Sequence, residues 1–132
     1  MEPGFIFKRR GYGNWFSFFA EGPGTHYGSP SSIRWRKNTR EIDRALEKVL
    51  NLRGVYFDWD EARGGKHGMG FIAEEVGKQF PEIVAYERDG VYARGLDYGA
   101  ITPVLVQAIR EQQAQIEALK AEIEALKKIA EK

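Results

Sequence analysis

The hydrophobic and polar positions of the chain follow three different patterns along its length. Residues 1–30 hold a dense group of aromatic side chains interrupted by glycine and proline, residues 31–99 alternate between short helical and strand-like patterns, and residues 100–132 show one helical repeat. These changes of pattern predict three segments with boundaries at 1–30, 31–99 and 100–132. Together they have the size of one ordinary domain, with room for a modest core.

Residues 1–30 contain eight of the 17 aromatic residues of the chain. Aromatic residues mixed with glycine and proline are typical of strands and turns. Residues 14–20 are too aromatic to be left in water and too short to build a core alone, so we expect them to pair with another chain or with a domain upstream of a truncated start. The alternative is an edge hairpin of the same domain.

The middle segment alternates between helix and strand signals. Residues 39–50 are predicted to form a helix capped by Asn38 or Thr39, because apolar residues recur there at helical spacing. Residues 55–59 read as a strand, residues 61–70 as a flexible glycine-rich hairpin tip, and residues 71–73 as the returning strand.

A second hairpin is predicted further along the middle segment. Residues 74–80 form a short helix that Pro81 ends, and strands over residues 83–86 and 91–96 flank Asp89-Gly90, a strong signal for a two-residue turn. The predicted fold class is therefore α+β: a small globular domain with β-hairpins and a short helix, followed by a long helix.

Residues 100–132 contain no glycine or aromatic residue and predict one long helix with Pro103 in its first turn. Apolar residues recur in heptads, which indicates a parallel coiled coil. The a positions are Ile109, Ile116, Ile123 and Ala130, and the d positions are Gln112, Leu119 and Leu126, with Leu105 one heptad earlier. An amphipathic helix that packs only on its own domain is the alternative. Isoleucine at a with leucine at d favours two strands, whereas Gln112 at d fits a three-stranded core.

Composition and charge exclude several classes of protein. The 20 basic residues are balanced by 19 acidic ones, so no overall field favours a nucleic-acid partner. No run approaches the ~18 apolar residues of a membrane span and no signal-peptide pattern opens the chain, so we expect a soluble protein. The lack of cysteine removes disulfides and thiol catalysis, and two histidines, His26 and His67, argue against a histidine metal site. We expect no cofactor, no metal, no nucleic acid and no membrane.

A series of short blocks in a fixed order carries a resemblance to a known family. The blocks are SSIRWRKN at residues 31–38, ALEKV at 45–49, LRGVYFDW at 52–59, GFIAEEV at 70–76, FPEIV at 80–84, LDY at 96–98 and AIREQQ at 108–113. They resemble the peptidase S74 family, the C-terminal intramolecular chaperone domain of phage tail spikes and tail fibres. Ordered blocks are more specific than any single motif.

The resemblance implies a homotrimer, so the long helix would form a parallel trimeric coiled coil. It also implies that the domain assembles the preceding fibre or spike of the same chain and is then released by self-cleavage at a serine, assisted by a lysine five residues later. The expected partners are therefore further copies of the chain and the upstream fibre domain. The expected location is a virion tail fibre or spike precursor, assembled in the host cytoplasm.

The family's cleavage pattern, Ser-Asp-x-Arg-x-Lys-x-Asn, aligns with residues 31–38. Ser31 takes the nucleophile position and Pro30 precedes it across the bond expected to break. Arg36 stands where the family has its lysine, and Ser32 replaces the family's aspartate. Because a guanidinium stays protonated in proteins, Arg36 cannot serve as the base in the ordinary way. The alignment predicts a single-turnover serine endopeptidase that cleaves slowly or not at all.

Two alternatives keep efficient cleavage open. Lys37 swings in from one residue further on, or Ser32 pairs with Lys37 and restores the five-residue spacing; both need a change of register. In a third interpretation Ser31 and Ser32 are only turn residues after Pro30.

Three further polar residues are weaker candidates for this site. His67 is either a second base or orienting group or, more simply, a surface histidine. Glu74 and Glu75 either orient basic residues of the site or favour a helix start through the helix dipole.

Two other functions compete with a self-cleaving chaperone. The chain could be the permanent, uncleaved trimeric tip of a receptor-binding fibre. It also resembles the related chaperone segment of a membrane-bound eukaryotic transcription factor, but nothing basic or DNA-reading is present and no membrane span follows.

Overall fold

The computed structural model describes residues 31–132. The chain divides into two compact units after Arg40, so residues 31–40 belong to one unit and residues 41–132 form the other. The prediction of strands and turns over residues 1–30 lies outside the described residues. Within residues 31–40 the regular element is one turn of 3-10 helix, Ile33–Trp35.

The second unit contains short helices, two β-hairpins and one long helix, which confirms the predicted α+β class. Its helices and strands, in chain order, are α1 (Ala45–Leu50), β1 (Val55–Asp58), β2 (His67–Gly70), α2 (Ala73–Gln79), β3 (Val84–Tyr86), β4 (Ala93–Leu96) and α3 (Ile101–Ala130). The strands pair as two separate antiparallel sheets, β1 with β2 and β3 with β4.

Helix α1 begins later than the sequence predicts. The expected helix over residues 39–50 is wrong in its first half, because α1 follows Arg44, whose backbone is left-handed at φ 49°. The expected cap at Asn38 or Thr39 is wrong as well. A capping residue normally has extended backbone, whereas Asn38 lies at φ 53°.

A residue from α3 caps α1 instead. The Glu111 carboxylate accepts hydrogen bonds from the backbone N–H of Ala45 over 3.1 Å and from that of Leu46 over 2.6 Å. The first N–H groups of a helix have no acceptor inside the helix. Glu111 therefore satisfies two of them and ties the start of α1 to α3.

The first hairpin returns earlier than the sequence predicts. Residues 67–70, expected in a flexible tip, form β2, and the expected strand over residues 71–73 is wrong. A side chain on Gly68 would begin 3.0 Å from the Phe57 ring across the hairpin. Glycine at this position therefore lets the aromatic ring lie over the strand, which a pattern based on strand propensity does not anticipate.

The second hairpin is present, but its connection is longer than the two-residue turn that Asp89-Gly90 predicts. Residues 87–92 join β3 to β4, and the N–H of Glu87 donates to the carbonyl of Tyr92 over 2.8 Å. The Asp89 carboxylate accepts from the N–H groups of Val91 and Tyr92, so it closes a turn with its side chain.

Helices α2 and α3 agree closely with the prediction. Helix α2 is followed by Pro81, which ends it as expected. Helix α3 spans thirty residues with Pro103 in its first turn.

The core of residues 41–132 is small and lies where α1, α2, the second hairpin and the start of α3 meet. Its buried members are Ala45, Leu46, Val76, Phe80, Val84, Ile101, Val104 and Ala108. Helix α3 contributes only from its first three turns, and every residue from Gln112 onward is exposed.

Candidate functional site

The predicted nucleophile and the residue in the base position lie within hydrogen-bonding distance. Arg36 Nη2 donates to Ser31 Oγ over 3.2 Å, and both residues are exposed. A guanidinium has donors and no acceptor. This contact therefore engages a lone pair of the Ser31 oxygen and presents no atom that can take its proton.

A tight turn brings these two residues together. The 3-10 turn Ile33–Trp35 is capped by Ser32, whose Oγ accepts from the N–H of Arg34 over 3.3 Å and from its Nε over 3.0 Å. The Arg34 guanidinium also lies over the Trp35 ring, 5.1 Å from its centroid. These local contacts reverse the chain between positions 31 and 36. Lys37, the alternative base, is exposed, and Pro30 lies outside the described residues.

The weaker candidates have partners inside the second unit. His67 Nδ1 lies 2.9 Å from the Asp58 carboxylate, and its ring stacks on Tyr56 with centroids 5.5 Å apart. Glu74 accepts a hydrogen bond from the backbone N–H of Ala93 over 2.8 Å. These contacts give His67 a surface position and give Glu74 a structural role beside β4.

Glu75 forms a two-pronged ion pair with Arg53. The two oxygens accept from Arg53 Nη2 over 2.7 Å and from Arg53 Nε over 2.9 Å. These hydrogen bonds lower the pKa of the Glu75 carboxyl below its usual value, although desolvation acts in the opposite direction. The ion pair connects the chain before β1 to the first turn of α2.

The predicted coiled-coil positions form an exposed apolar stripe along α3. Ile109, Ile116, Leu119, Ile123 and Leu126 are between 45% and 64% exposed, and Gln112 is exposed between them. Water-exposed apolar stripes of this length are uncommon on monomeric proteins. The residues predicted for oligomerisation thus share one uncovered face.

This stripe is distinct from the face that packs on the domain. The packed face consists of Ile101, Val104, Ala108 and Glu111, spaced three or four residues apart. Successive residues of a helix point about 100° apart. Ile109 therefore points well away from the buried Ala108 that precedes it, and α3 has two faces with different environments.

Sequence reasoning missed Glu111 as a structural residue. The signal that could have found it is a glutamate in line with the buried positions of α3, where an apolar residue would otherwise continue the pattern. Glu111 is half-buried, and its carboxylate accepts hydrogen bonds from the backbone N–H groups at the start of α1.

Residues 31–132 contain neither a membrane-spanning helix nor a cluster of metal ligands. Within this range no helix is both long and apolar enough to cross a membrane. The same residues contain no group of three or more histidine, cysteine, aspartate or glutamate side chains placed to hold a metal ion.

Comparison with known proteins agrees with the resemblance drawn from the sequence. Residues 31–85 match the Peptidase_S74 family model, described as chaperone of endosialidase. The chain is similar to long tail fiber protein Gp37 of Enterobacteria phage K3, with 29% identity over 98 residues that cover 70% of this chain and 8% of that protein. It is equally similar to long tail fiber protein Gp37 of Enterobacteria phage T2, where it covers 7%.

The chain thus spans less than a tenth of the length of these two relatives. The matched region contains the turn with Ser31 and Arg36, helix α1, the first hairpin and α2, and it stops within β3. Through this region the chain matches the peptidase S74 family model, described as chaperone of endosialidase.

Proposed function

We propose that this chain is the trimerising chaperone domain of a phage tail fibre or tail spike. Its partners are two further copies of itself and the upstream fibre domain of the same chain. Assembly takes place on the fibre precursor in the host cytoplasm, before the fibre joins the virion. Both curated relatives are named as long tail fiber proteins, which supports this context.

The observation that carries the proposal is the exposed apolar stripe of α3. It continues beyond the domain to Leu126, where no other described part of the chain covers it. Flanking charges favour parallel copies, because Glu122 at g faces Lys127 at e of the neighbour and Gln115 faces Lys120. The stripe is therefore suited to a second and third α3.

Early association of three copies through α3 would have a physical purpose. Fibres woven from three chains depend on contacts between distant residues, which form slowly and expose edges that aggregate. Helical association is fast because its contacts are local. Once three copies are joined, the effective concentration of the upstream strands rises to the order of mM.

Sedimentation equilibrium on the intact chain tests the assembly. We expect a mass of three chains at micromolar concentration. A monomer, or a dimer across that range, would contradict the proposal.

We further propose that release of the domain is slow or absent, and that Arg36 is the cause. Cleavage requires the Ser31 hydroxyl to lose its proton as it attacks the carbonyl of Pro30. The family has a lysine at the position that Arg36 occupies, and a lysine can accept that proton when it is buried. The Arg36 guanidinium donates to Ser31 Oγ instead, and a guanidinium has no acceptor atom that could take the serine proton.

Denaturing gel electrophoresis with mass spectrometry tests this step. The unaltered chain should remain one band of 15.0 kDa. Arg36→Lys should yield two fragments that part beside Ser31, and the double variant Ser31→Ala with Arg36→Lys should be intact again. Efficient cleavage of the unaltered chain that Lys37→Ala abolishes would identify Lys37 as the base and overturn the assignment to Arg36.

The second candidate function is a permanent trimeric tip of a receptor-binding fibre. The Arg36–Ser31 contact favours it, because a chain that does not cleave keeps its domain. Mass spectrometry of the full-length fibre distinguishes the two functions: a released domain leaves a mature product that ends near Pro30, whereas a permanent tip leaves the chain whole.

A further inference from the structure

The first three turns of α3 carry an exposed apolar patch that the core does not use. Leu105 is 43% exposed, Val106 55% and Ile109 62%. Leu105 and Ile109 belong to the predicted seam, at d and a. Val106 does not, since it occupies the e position beside the seam.

The domain itself limits where this patch can be covered. On one side of α3 lies the packed face with Val104 and Ala108. On the other side Glu41 accepts hydrogen bonds from Gln107 Nε2 over 3.3 Å and from Arg110 Nη1 over 3.4 Å. The chain's own residues therefore flank the helix on both sides of the patch and leave the patch open.

Val106 differs from the other residues on its flank. The later e positions of α3 are Gln113, Lys120 and Lys127, all polar and exposed. A coiled coil covers e positions only partly and normally has polar residues there. A valine at the one e position beside the globular domain indicates that something besides a neighbouring α3 covers it.

The position of α1 identifies the part of the neighbouring copy that would cover Val106. In a parallel coiled coil the e flank of one helix faces the g flank of its neighbour. By the same g-to-e pairing, the g residue that faces Val106 is Ile101, five residues earlier, which is buried in the core where α1 packs against the start of α3. The neighbour's α1 would therefore lie beside Val106.

We propose that the patch of Leu105, Val106 and Ile109 docks onto a second copy of this chain, with the neighbouring copy's α1 covering Val106. The inference rests on the proposed trimer and adds a contact between one copy's helix and the next copy's globular domain. The occupant is a second copy because the patch runs without interruption into the apolar stripe, whose flanking charges also match a parallel copy. Through this contact, assembly of the helices would also fix the position of the globular domains.

Alkylation of single engineered thiols tests the contact. The chain has no cysteine, so Val106→Cys supplies the only thiol. Val91→Cys is the matched control, since Val91 is 65% exposed at the tip of the second hairpin. Lys120→Cys is a second control, because it lies on the same e flank two heptads further on, where the facing g residue, Gln115, is exposed. Iodoacetamide reaction rates are measured above and below the assembly concentration, which sedimentation defines independently.

We expect assembly to slow alkylation at position 106 at least tenfold, to slow it at position 120 only a few-fold, and to leave position 91 within twofold. Equal protection at 106 and 120 would mean that α3 alone covers the flank, and would overturn the contact with the neighbour's α1 while the trimer stands. Reaction at 106 as fast as at 91 in the assembled chain would overturn the docking altogether. A chain that does not assemble would refute the proposed trimer and this contact with it.

A charge at the same place gives an independent measurement. Val106→Lys should raise the dissociation constant of the assembly at least tenfold with unchanged circular dichroism, whereas Val91→Lys should not change it. An unchanged dissociation constant for Val106→Lys would contradict the inference.

Discussion

The two parts of α3 have opposite environments although they form one continuous helix. Over residues 101–111 one face is buried in the core and a carboxylate caps another helix. Over residues 112–130 every side chain is exposed, including four large apolar residues of the seam. The first part is stabilised within one chain, whereas the second part has apolar surface that none of residues 31–132 covers.

This difference places folding and the proposed assembly on different faces of the same helix. The domain uses the face of Val104 and Ala108, and the proposed seam lies on the adjacent face, with Ile109 and Ile116. Because the faces do not overlap, a substitution on one should leave the other intact. Four predictions test how far the two faces are independent.

The largest effect is expected from Val104→Asp. Val104 is 4% exposed, and an unpartnered carboxylate in such a position costs on the order of 3–5 kcal/mol, a large part of the stability of a small domain. Urea unfolding followed by circular dichroism should show loss of the folded domain. Val106→Asp, two residues later on the exposed side, is the control and should keep the domain folded. If both variants unfold alike, the two faces are not separate.

Ile123→Asp should abolish assembly and leave the domain folded. Burial of Ile116, Leu119, Ile123 and Leu126 contributes ~1.5–3 kcal/mol per side chain, or on the order of 6–12 kcal/mol per chain before entropy is subtracted. In the variant trimer, three unpaired carboxylates near the coiled-coil axis would oppose association. Size-exclusion chromatography should give monomers or aggregates for this variant and trimers for the control Ala121→Asp on the outer face. A trimeric Ile123→Asp chain would show that the globular part is the main contact.

The sequence could predict the elements that depend on local pattern. Helix α3 has an uninterrupted helical repeat, and α2 has a proline just beyond its end, so both were found nearly at their observed limits. The start of helix α1 was not predicted correctly, because its cap comes from Glu111, more than sixty residues further along the chain. The strand β2 was missed because its glycine Gly68 leaves room for the Phe57 ring, a contact across the hairpin that local pattern does not show.

The candidate site also has a part that the sequence could predict and a part that it could not. The family resemblance paired Ser31 with position 36, and the observed turn brings the two side chains into contact. The partners of His67, Glu74 and Glu75 could not be read from spacing, because each is set by the pairing of strands or by the placement of Arg53. Whether Ser31 reacts, and whether α3 forms a trimer, stay predictions.

Glu111→Gln should loosen α1 without weakening the seam. The glutamine keeps one acceptor oxygen but points an amide N–H₂ at a backbone donor, which should cost about 1–3 kcal/mol. Unfolding is best measured in the monomeric Ile123→Asp background, so that assembly does not contribute. The control is Glu117→Gln, an exposed position whose contacts with Gln113 and Lys120 lie within the helix. Equal stability of the two variants would mean that the cap at α1 is not significant.

The smallest expected effect is a pH dependence confined to the globular domain. Because hydrogen bonds from Arg53 lower the pKa of Glu75 in the folded state, this ion pair stabilises the domain above the ordinary carboxyl pKa of about 4.3. Its contribution disappears as the pH falls through the lowered value, since the protonated carboxyl no longer pairs with Arg53. In the Ile123→Asp background, Arg53→Gln should therefore reduce the free energy of unfolding at pH 7, and this reduction should become smaller as the pH falls below the ordinary carboxyl value. A difference that stays constant over that range would show that Arg53 acts through packing of its side chain and that the ion pair contributes nothing.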